Sequence, residues 1–410
     1  MKPYNRRISF FLFILTSLLL SSCSGYSLPI AQLPTQLPPE PTVEPIPTFE
    51  TPPRDAVLNW SAELSESYCK PTSFGRFSSL VYNSGALYSV QSGDSRGVWR
   101  LPPNESQWEK VAEPLAADGK FIESLRVNDN WLVMLIFDHP MHVQGWRVET
   151  LNLETNEQQR LVDNIEANEN IIYLDMELQG DLLYFLTHTV TTNSSKQLST
   201  IHAINMAEGT QESLLSLESD LIYNQLAVSE KYLMITQSVS SKPEDDDPLP
   251  ILFFSFESNQ LVELMDVSGS NPLMAGGLAA WSEQRSDRLP ETYKIFDFES
   301  GLSWPLLIQG EQPSSFDLSR EYLVWIDPTE PTNAYPAVFL MSLDDGHKLT
   351  ISAESLDLMP QFPQVRDDVL ILGFVKDFFT LDAQGMICAI PLEELQALSQ
   401  PTPDPAQATP

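Results

Sequence analysis

The residues best suited to bind a metal ion are the carboxylate and the two imidazoles of Asp138, His139 and His142. Zinc sites require three or four converging ligands, and Pro140 between the two histidines excludes a regular helical pair. A polar loop between strands is therefore our preferred interpretation of this segment. No two of the three cysteines are spaced as Cys-x-x-Cys, so a structural zinc site is not predicted.

Four consecutive carboxylates, Glu244–Asp247, lie in the long polar segment Ser238–Pro250. Calcium is a hard cation that takes oxygen ligands, and clustered carboxylates supply them. The run lacks the alternating spacing and the glycine of known calcium-binding loops. We therefore interpret it as a solvated acidic loop and predict no cofactor, and a structural calcium ion stays open as the alternative.

The segment Gly93–Gly97 reads Gly-Asp-Ser-Arg-Gly and matches the G-x-S-x-G string of hydrolases. In those enzymes the serine lies on a strained turn between a strand and a helix, which exposes its hydroxyl group. Here the string lies between two short predicted strands, Leu87–Gln91 and Val98–Leu101, and no helical period follows it. We interpret it as a hairpin connection, and no catalytic residue is predicted.

The net charge of the chain limits the kinds of partner that it can bind. The 410 residues include 23 Lys and Arg against 56 Asp and Glu, which gives a formal net charge of −33. Binding to nucleic acid requires clustered positive charge, so no nucleic-acid partner is expected. Hydrophobic residues make up 42% of the chain, which is enough for a packed core and argues against wholesale disorder.

The N-terminal residues follow the order of an export signal. Three basic residues precede the apolar run Ile8–Leu20, which has 13 residues. A helix needs roughly 20 residues to span a bilayer, so the run is typical of a signal peptide. Next, Leu20–Cys23 reads Leu-Ser-Ser-Cys and resembles the lipobox of bacterial lipoproteins. The resemblance implies that residues 1–22 are a signal peptide and that the Cys23 thiol is acylated and binds membrane lipid.

Proline-rich segments lie on both sides of a central body. Residues 24–54 contain nine prolines, which exclude helices and central strands and favour extended polyproline II. Residues 23–54 are therefore predicted to be a lipid-anchored tether, which reaches about 90 Å at ~3.1 Å per residue. A spacer through an envelope layer and a linker of no particular length both stay open. The tail, residues 401–410, is predicted to be disordered, and Leu392–Leu398 to form a short helix before it.

The body, residues 55–400, repeats a short apolar segment that follows a polar turn. A leucine marks each repeat, and successive marker leucines are 45 to 51 residues apart. The segments are too short for helices and rich in aromatic and β-branched residues, which predicts strands. The marker leucines are Leu87, Leu132, Leu183, Leu233, Leu278, Leu323 and Leu370.

A hairpin turn that ends in Asn or Gly follows the apolar segments with the same period. These two residue types tolerate the left-handed backbone that such turns require. The clearest turns end at Asn156, Gly209, Asn259, Gly301 and Gly346, and weaker ones lie at Asn104 and around Gly385.

Five of the eight tryptophans fall within the repeated strands, which favours packing between repeats over ligand binding. These five are Trp99, Trp131, Trp146, Trp281 and Trp325, whereas nothing groups Trp60, Trp108 and Trp304.

Two markers on one period indicate a unit of about four antiparallel strands, the size of a propeller blade. The pattern that runs from Tyr322–Trp325 through Val338–Met341 to Asp345 and Gly346 resembles bacterial TolB-like and WD-repeat-like propellers. We predict an all-β fold, a β-propeller of seven four-stranded blades over residues 55–400. Six or eight blades stay open, and tandem β-sandwiches are the alternative architecture.

Closure of a ring assigns a role to the remaining cysteines. Cys69 precedes the first predicted blade, and Cys388 lies in the last apolar strand. In many propellers a strand from one terminus completes the sheet at the other, and Val57–Trp60 is our candidate for that strand. Compartments outside the membrane permit disulfides. We therefore predict a Cys69–Cys388 bridge at the closure, with two buried free thiols as the alternative.

These features predict an exported protein, lipid-anchored to the outside of the cell membrane or to the outer membrane. Its propeller is predicted to bind a protein or an envelope polymer. An extracytoplasmic hydrolase acting on glycan or peptide is one alternative, and a solute-binding or sensor module is another. The propeller fold hosts all three kinds of activity, so the fold does not choose among them. The ligand and the oligomeric state are not determined by the sequence.

Overall fold

The structure, a computed structural model, describes most of the chain between residues 59 and 401. The predicted signal peptide and the whole predicted tether lie outside the described residues, and so does the predicted tail apart from Pro401, which lies in a short strand. The described ranges are 59–72, 77–91, 97–115, 121–139, 145–164, 171–189, 197–219, 222–236, 250–283, 292–301, 303–307, 314–327, 336–344, 346–352, 356–366, 368–376, 383–398 and 400–401.

The described residues form thirty strands in seven sheets. Two strands precede the first blade, β1 (Asn59–Glu63) and β2 (Cys69–Pro71), with one 3-10 turn at Glu66–Tyr68 between them. Blades 1 to 3 each contain four antiparallel strands that are neighbours in chain order. Their strands are β3 (Phe77–Asn83), β4 (Ala86–Gln91), β5 (Val98–Leu101), β6 (Glu109–Ala112), β7 (Phe121–Val127), β8 (Trp131–Phe137), β9 (Trp146–Asn152), β10 (Gln158–Asp163), β11 (Ile171–Gln179), β12 (Leu182–Thr189), β13 (Gln197–Asn205) and β14 (Thr210–Ser219).

Blades 4 to 7 repeat this arrangement, and the last blade takes one strand from the N-terminal segment. One helix, α1 (Leu392–Leu398), and a final short strand, β30 (Gln400–Pro401), follow the last blade. The strands of these blades are β15 (Gln225–Val228), β16 (Tyr232–Thr236), β17 (Pro250–Ser255), β18 (Gln260–Ser268), β19 (Ser270–Ala275), β20 (Leu278–Glu283), β21 (Thr292–Asp297), β22 (Ser303–Leu307), β23 (Ser314–Leu318), β24 (Tyr322–Asp327), β25 (Ala337–Ser342), β26 (Lys348–Ser352), β27 (Leu358–Arg366), β28 (Val369–Lys376) and β29 (Gln384–Pro391).

All seven marker leucines lie in the second strand of a blade, so the predicted period and the seven four-stranded blades are confirmed. These second strands have sheet neighbours on both edges and protein on both faces. In β8, for example, every residue from Trp131 to Phe137 is buried. A strand covered on both faces reads as a continuous apolar run, which is why this strand dominated the sequence pattern.

Each blade packs its two faces against its two neighbours. Seven hydrophobic clusters occupy the seven interfaces between blades, including the one between blade 7 and blade 1. Trp146 of blade 2, for example, lies 5.8 Å from Tyr173 and 6.1 Å from Phe185 of blade 3, measured between ring centroids. The role predicted for the five repeated tryptophans, packing between blades, is confirmed.

The hairpins between third and fourth strands use the left-handed backbone that the sequence predicted. The φ angles are 62° at Asn104, 58° at Asn156, 52° at Asn259, 67° at Gly209, 70° at Gly301 and 72° at Gly346. The prediction of a turn around Gly385 is wrong, because Gly385 lies inside β29. Blade 7 contributes only three strands of its own, so it has no hairpin between a third and a fourth strand.

The N-terminal segment closes the ring, but with a different strand from the one predicted. Strand β2, not the region around Trp60, pairs with β29 and becomes the fourth strand of blade 7. Strand β1 instead adds in parallel to β26, at the outer edge of blade 6. The closing strand must end a few residues before blade 1 begins, and Asn59–Glu63 lies too far upstream for that. Val57 and Leu58 lie outside the described residues.

The predicted helix at Leu392–Leu398 is confirmed as α1. Leu392 N donates to Asp368 O at 2.8 Å, and Leu343 N donates to Glu321 O at the same distance in blade 6. The residue after the third strand therefore makes the same contact in both blades, and a helix replaces the missing hairpin in blade 7. Strand β30 then pairs with β1 at blade 6. No helix among the described residues is long and apolar enough to cross a membrane.

The two cysteines lie directly opposite each other where the ring closes. Cys69 of β2 is the register partner of Cys388 of β29, and the structure joins them as a disulfide with their Cα atoms 4.0 Å apart. Cys388 is fully buried, and the bond links positions 319 residues apart. The disulfide therefore covalently holds the three-residue closing strand to the last blade.

We expect non-reducing electrophoresis with thiol alkylation to find no free thiol at Cys69 or Cys388 in the folded protein. A Cys69→Ser, Cys388→Ser double variant should lose roughly 2–5 kcal/mol of unfolding free energy, since the bond restricts a very long loop in the unfolded chain. Reduction of the wild type should lower its melting temperature to that of the variant, and the variant should not respond to reductant. Two alkylated thiols in the folded wild type would contradict the disulfide.

Candidate functional site: the wall of the central channel

The first strand of each blade is its innermost strand. Each of these strands lies against the first strand of the next blade, and β27 of blade 7 lies against β3 of blade 1. In a propeller such a closed ring of inner strands forms the wall of the central channel. The members are β3, β7, β11, β15, β19, β23 and β27. Side chains of these strands are therefore the ones that a ligand in the channel would meet.

One polar residue recurs at a similar place in every inner strand, again at intervals of 45 to 51 residues. We call this set the inner polar ring. Its members are Ser79, Ser124, Asp175, Gln225, Asn271, Asp317 and Gln364. The sequence analysis missed the set, because a single polar residue in a short strand is a much weaker signal than an apolar run.

Members of the inner polar ring hold neighbouring blades together through backbone amides. Asp175 accepts a hydrogen bond from Leu226 N at 3.0 Å, and Asp317 accepts one from Val365 N at 2.8 Å. Gln225 accepts from Asn271 N at 2.9 Å, and Gln364 from Tyr82 N at 3.0 Å. In every case the acceptor side chain belongs to one blade and the amide to the next, so all four bonds point in the same direction around the ring.

Local backbone irregularities orient several of these side chains. Six of the seven inner strands show a register shift against their second strand. Asp175, Asp317 and Gln364 are each the first paired residue after such a shift. A β-bulge bends its strand and redirects the side chains beside it. The bulges therefore place these acceptors next to the adjacent blade.

An ion-pair cluster lies on the inner strands of blades 2 and 3. Arg126 Nη2 of blade 2 is 2.9 Å from Glu177 Oε1 and 3.9 Å from Asp175 Oδ1 of blade 3. The side chains of Asp175 and Glu177 keep 27% and 30% of their surface accessible. Such partial access is what a narrow channel produces. One guanidinium opposes two carboxylates, so the cluster is net acidic when both are ionised.

Burial raises the pKa of Asp175 to about 7, with a further contribution from the charge of Glu177 and an opposing one from Arg126. Tyr173, which accompanies the cluster, also has a raised pKa because it is buried. At the interface between blades 6 and 7, burial raises the pKa of Asp317 against the opposing charge of Arg366. The channel wall therefore holds carboxyl groups that take up protons more readily than exposed ones.

A separate ion pair, which is buried, positions a loop between blades 1 and 2. Arg147 Nε and Glu149 Oε1 of β9 are 2.7 Å apart and almost completely buried. The other oxygen, Glu149 Oε2, accepts hydrogen bonds from Leu115 N at 2.8 Å and Gln158 Nε2 at 3.1 Å. The ion pair thus fixes the connection from blade 1 to blade 2, where the Leu115 side chain is 50% exposed.

The candidate residues of the sequence analysis do not converge in the described part of the molecule. His139 is exposed, whereas His142 and the run Glu244–Asp247 lie outside the described residues. Within the described ranges no three His, Cys, Asp or Glu side chains group as metal ligands. The serine of the Gly93–Gly97 string also lies outside them, but its flanking strands β4 and β5 pair antiparallel in one sheet. The string therefore connects two strands, not a strand and a helix.

No family model matches the chain, and no curated protein matches it. Solved structures with similar architecture include TolB from Acinetobacter baumannii, with 11% identity over 76% of this chain and 78% of that chain, and a TM-score of 0.40. The β-propeller domain of the Trilobed protease from Pyrococcus furiosus matches with 11% identity over 63% and 80% of the two chains, and a TM-score of 0.46.

An acylaminoacyl peptidase matches with a TM-score of 0.53 and 11% identity over 82% of this chain. The match spans only 55% of the peptidase chain. At this identity the similarity concerns the fold alone. The chain is thus a seven-bladed β-propeller in which polar side chains join four pairs of adjacent inner strands.

The raised pKa of Asp175 predicts a pH-dependent stability. Because the folded-state pKa exceeds the ordinary value of 3.8, the stabilising effect of protonation is fully present below pH 3.8 and is lost as the pH rises through about 7. An Asp175→Asn variant keeps an acceptor oxygen for Leu226 N without the charge. We expect its melting temperature to exceed that of the wild type by a few degrees at pH 8 and the difference to vanish towards pH 4.

Asp129→Asn is the matched control. Hydrogen bonds from Ser84 and Asn83 lower the pKa of Asp129, so its ionised form stabilises the fold above pH 3.8 and that effect is lost as the pH falls. This variant should therefore be less stable than the wild type at pH 8, the opposite sign. Thermal unfolding across this pH range measures both differences, and equal signs at pH 8 would contradict the assignment.

Proposed function

We propose that the chain is a membrane-anchored extracytoplasmic β-propeller that acts as a binding or scaffold module for a protein or an envelope polymer. The inner polar ring carries this proposal. Four of its seven side chains accept hydrogen bonds from backbone amides of the adjacent blade, which helps to hold the scaffold rigid. A rigid ring that presents loops from every blade suits recognition, because the binding surface is organised before the partner arrives.

The charge of the chain supports a basic partner. A formal net charge of −33 repels nucleic acid and anionic lipid head groups and attracts cationic surfaces over several ångströms. Exposed carboxylates recur in the hairpins between third and fourth strands, at Glu154, Glu208, Glu257 and Glu299. These hairpins all lie on one face of the ring, so the acidic charge extends across several blades.

The membrane attachment rests on the lipobox-like Leu20–Cys23 and the proline-rich tether 23–54. Strand β1 begins at Asn59 and runs parallel to β26 along the outer edge of blade 6. Fourth strands start from the third-to-fourth hairpins, so the chain enters β1 near that same hairpin face. In the proposal the tether reaches the body at the rim of blade 6 and leaves the channel and the other blades unobstructed.

An extracytoplasmic hydrolase is the second candidate, and one observation favours it. Asp175, with a pKa of about 7, and Glu177 belong to the partly accessible ion-pair cluster on the inner strand of blade 3. A carboxyl group that titrates near neutral pH suits general acid or base catalysis. Asp175→Asn should then abolish hydrolysis of glycan or peptide, whereas a binding module keeps its affinity in that variant.

We expect a Cys23→Ala variant to be released from membranes into the extracytoplasmic soluble fraction, because it lacks the acylated thiol. Cell fractionation followed by immunoblotting measures this, and a Cys69→Ala variant is the control that should stay membrane-bound. Retention of Cys23→Ala on membranes would contradict the lipid anchor.

Binding is tested by a photocrosslinking residue placed at exposed Leu115 or Glu257, on opposite faces of the ring, in intact cells. We expect one position to give a specific adduct with a protein or a wall polymer, and Cys23→Ala to reduce its yield. If neither position gives an adduct above the level of an unrelated anchored propeller, the binding function is wrong.

A further inference from the structure

The outer edges of the blades differ in how they are protected. An unpaired edge strand can add a strand from another chain, and proteins prevent this with short strands, charged side chains (lysine most of all), proline, β-bulges or covering segments. Here β6 and β2 have only four and three residues, β10 contains Arg160, β22 contains Pro305, and β26 is covered by β1. Strand β18, with nine residues, loses regular register with β17 beyond Leu264.

Strand β14, the outer edge of blade 3, has fewer of these protections: only Leu214 is unpaired with β13, whereas β18 has three unpaired residues, and its charged residues are two glutamates. It is ten residues long, Thr210–Ser219, and contains no proline, lysine or arginine. No strand of the described residues pairs with its outward side. One register shift occurs at Leu214, and from Leu215 to Ser219 the pairing with β13 is regular. A regular outward row of amides and carbonyls is therefore available to a further strand.

The molecule itself shows that an outer edge accepts an added strand. In blade 6, β1 pairs with the outer strand β26 over five residues, and β30 pairs with β1. Both added strands come from outside the blade's own four. The outer edge of a blade in this molecule can thus accept an additional strand. At blade 3 the corresponding edge is β14, and no strand of the described residues pairs with it there.

Side chains around β14 indicate which residue types a strand added to its outer edge would contain. Leu214 and Leu217 are only partly buried against the interface between blades 3 and 4. Ile222, three residues beyond the strand, is 41% exposed and is one of two large hydrophobic side chains exposed among the described residues. Glu212 and Glu218 are exposed near the two ends of the strand. An incoming strand would cover apolar surface at its centre and meet negative charge at both ends.

The negative charge of blade 3 disfavours a second copy of this chain as the partner that pairs with β14. The described residues of blade 3 include no Lys or Arg, and Glu208, in the hairpin before β14, is another exposed carboxylate. Pairing of two β14 strands would place like charges close together, which is destabilising. A segment with basic residues gains ion pairs at the same positions.

We propose that β14 binds an extended segment of a partner protein as a fifth strand of blade 3, with apolar side chains in its middle and basic residues at its ends. This rests on the proposed binding function and names the surface and the chemistry of the partner. Backbone hydrogen bonds supply the attachment, and the glutamates and leucines supply selectivity.

The probe is a labelled peptide with two lysines on each side of a Val-Thr-Val-Thr-Val core. Six residues of extended chain span about 20 Å, so its lysines match the separation of Glu212 and Glu218. We expect saturable binding by fluorescence anisotropy and slowed hydrogen exchange at amides of β14. A peptide with glutamates in place of the lysines should bind at least about tenfold more weakly, and so should a Glu212→Lys, Glu218→Lys variant.

Two controls separate strand addition from general attraction to an acidic protein. Glu230→Lys, Glu321→Lys changes the net charge equally but replaces exposed glutamates in turns of blades 4 and 6, outside β14, so peptide affinity should be unchanged. N-methylation of alternate core amides should abolish binding in one register and preserve it in the other, since only one edge of the peptide faces β14.

The proposal is wrong if the peptide does not saturate, if both N-methylated peptides bind equally, or if exchange slows only outside β14. These outcomes are independent of the crosslinking test. A partner crosslinked at Leu115 or Glu257, together with no peptide binding at β14, would keep the binding function and overturn this surface alone.

Discussion

The fold depends on closing a ring of blades that cannot bury their surfaces alone. Each four-stranded sheet has two apolar faces. One face is covered only by the preceding blade and the other only by the following blade. An open ring would therefore expose one interface at each end. Strand β2 completes blade 7 immediately before the chain enters blade 1, and the Cys69–Cys388 bond holds it there. Gln364 of blade 7 also accepts a hydrogen bond from Tyr82 N of blade 1.

The inner polar ring fixes the offset between neighbouring blades, which the apolar interfaces alone do not fix. Hydrophobic contacts are not directional, so they allow neighbouring blades to slide. A side chain that accepts a specific backbone amide, as Asp175 does from Leu226 and Asp317 from Val365, fixes the offset between blades. Two of these acceptors are carboxylates whose burial raises their pKa, so rigidity comes with a dependence on pH.

Some elements were predictable because their signal is local. The second strands, such as Trp131–Phe137, are apolar along their whole length, and the third-to-fourth hairpins need Asn or Gly at a positive φ. The first strands gave no comparable pattern, because one side of each strand lines the channel and bulges interrupt its alternation. Sequence reasoning therefore found where the blades are and missed the residues, Asp175 among them, that connect their inner strands.

The sequence by itself determined the acidic charge and the repeating strand pattern, and it favoured a propeller of seven blades and the Cys69–Cys388 pair over their alternatives. The pattern is readable because every blade solves the same packing problem with similar residues. Only the tertiary structure decided that Cys69–Pro71 closes the ring and that Asn59–Glu63 lies on blade 6. Strand pairing between distant segments depends on which edges the closed ring leaves free, and no local pattern records that.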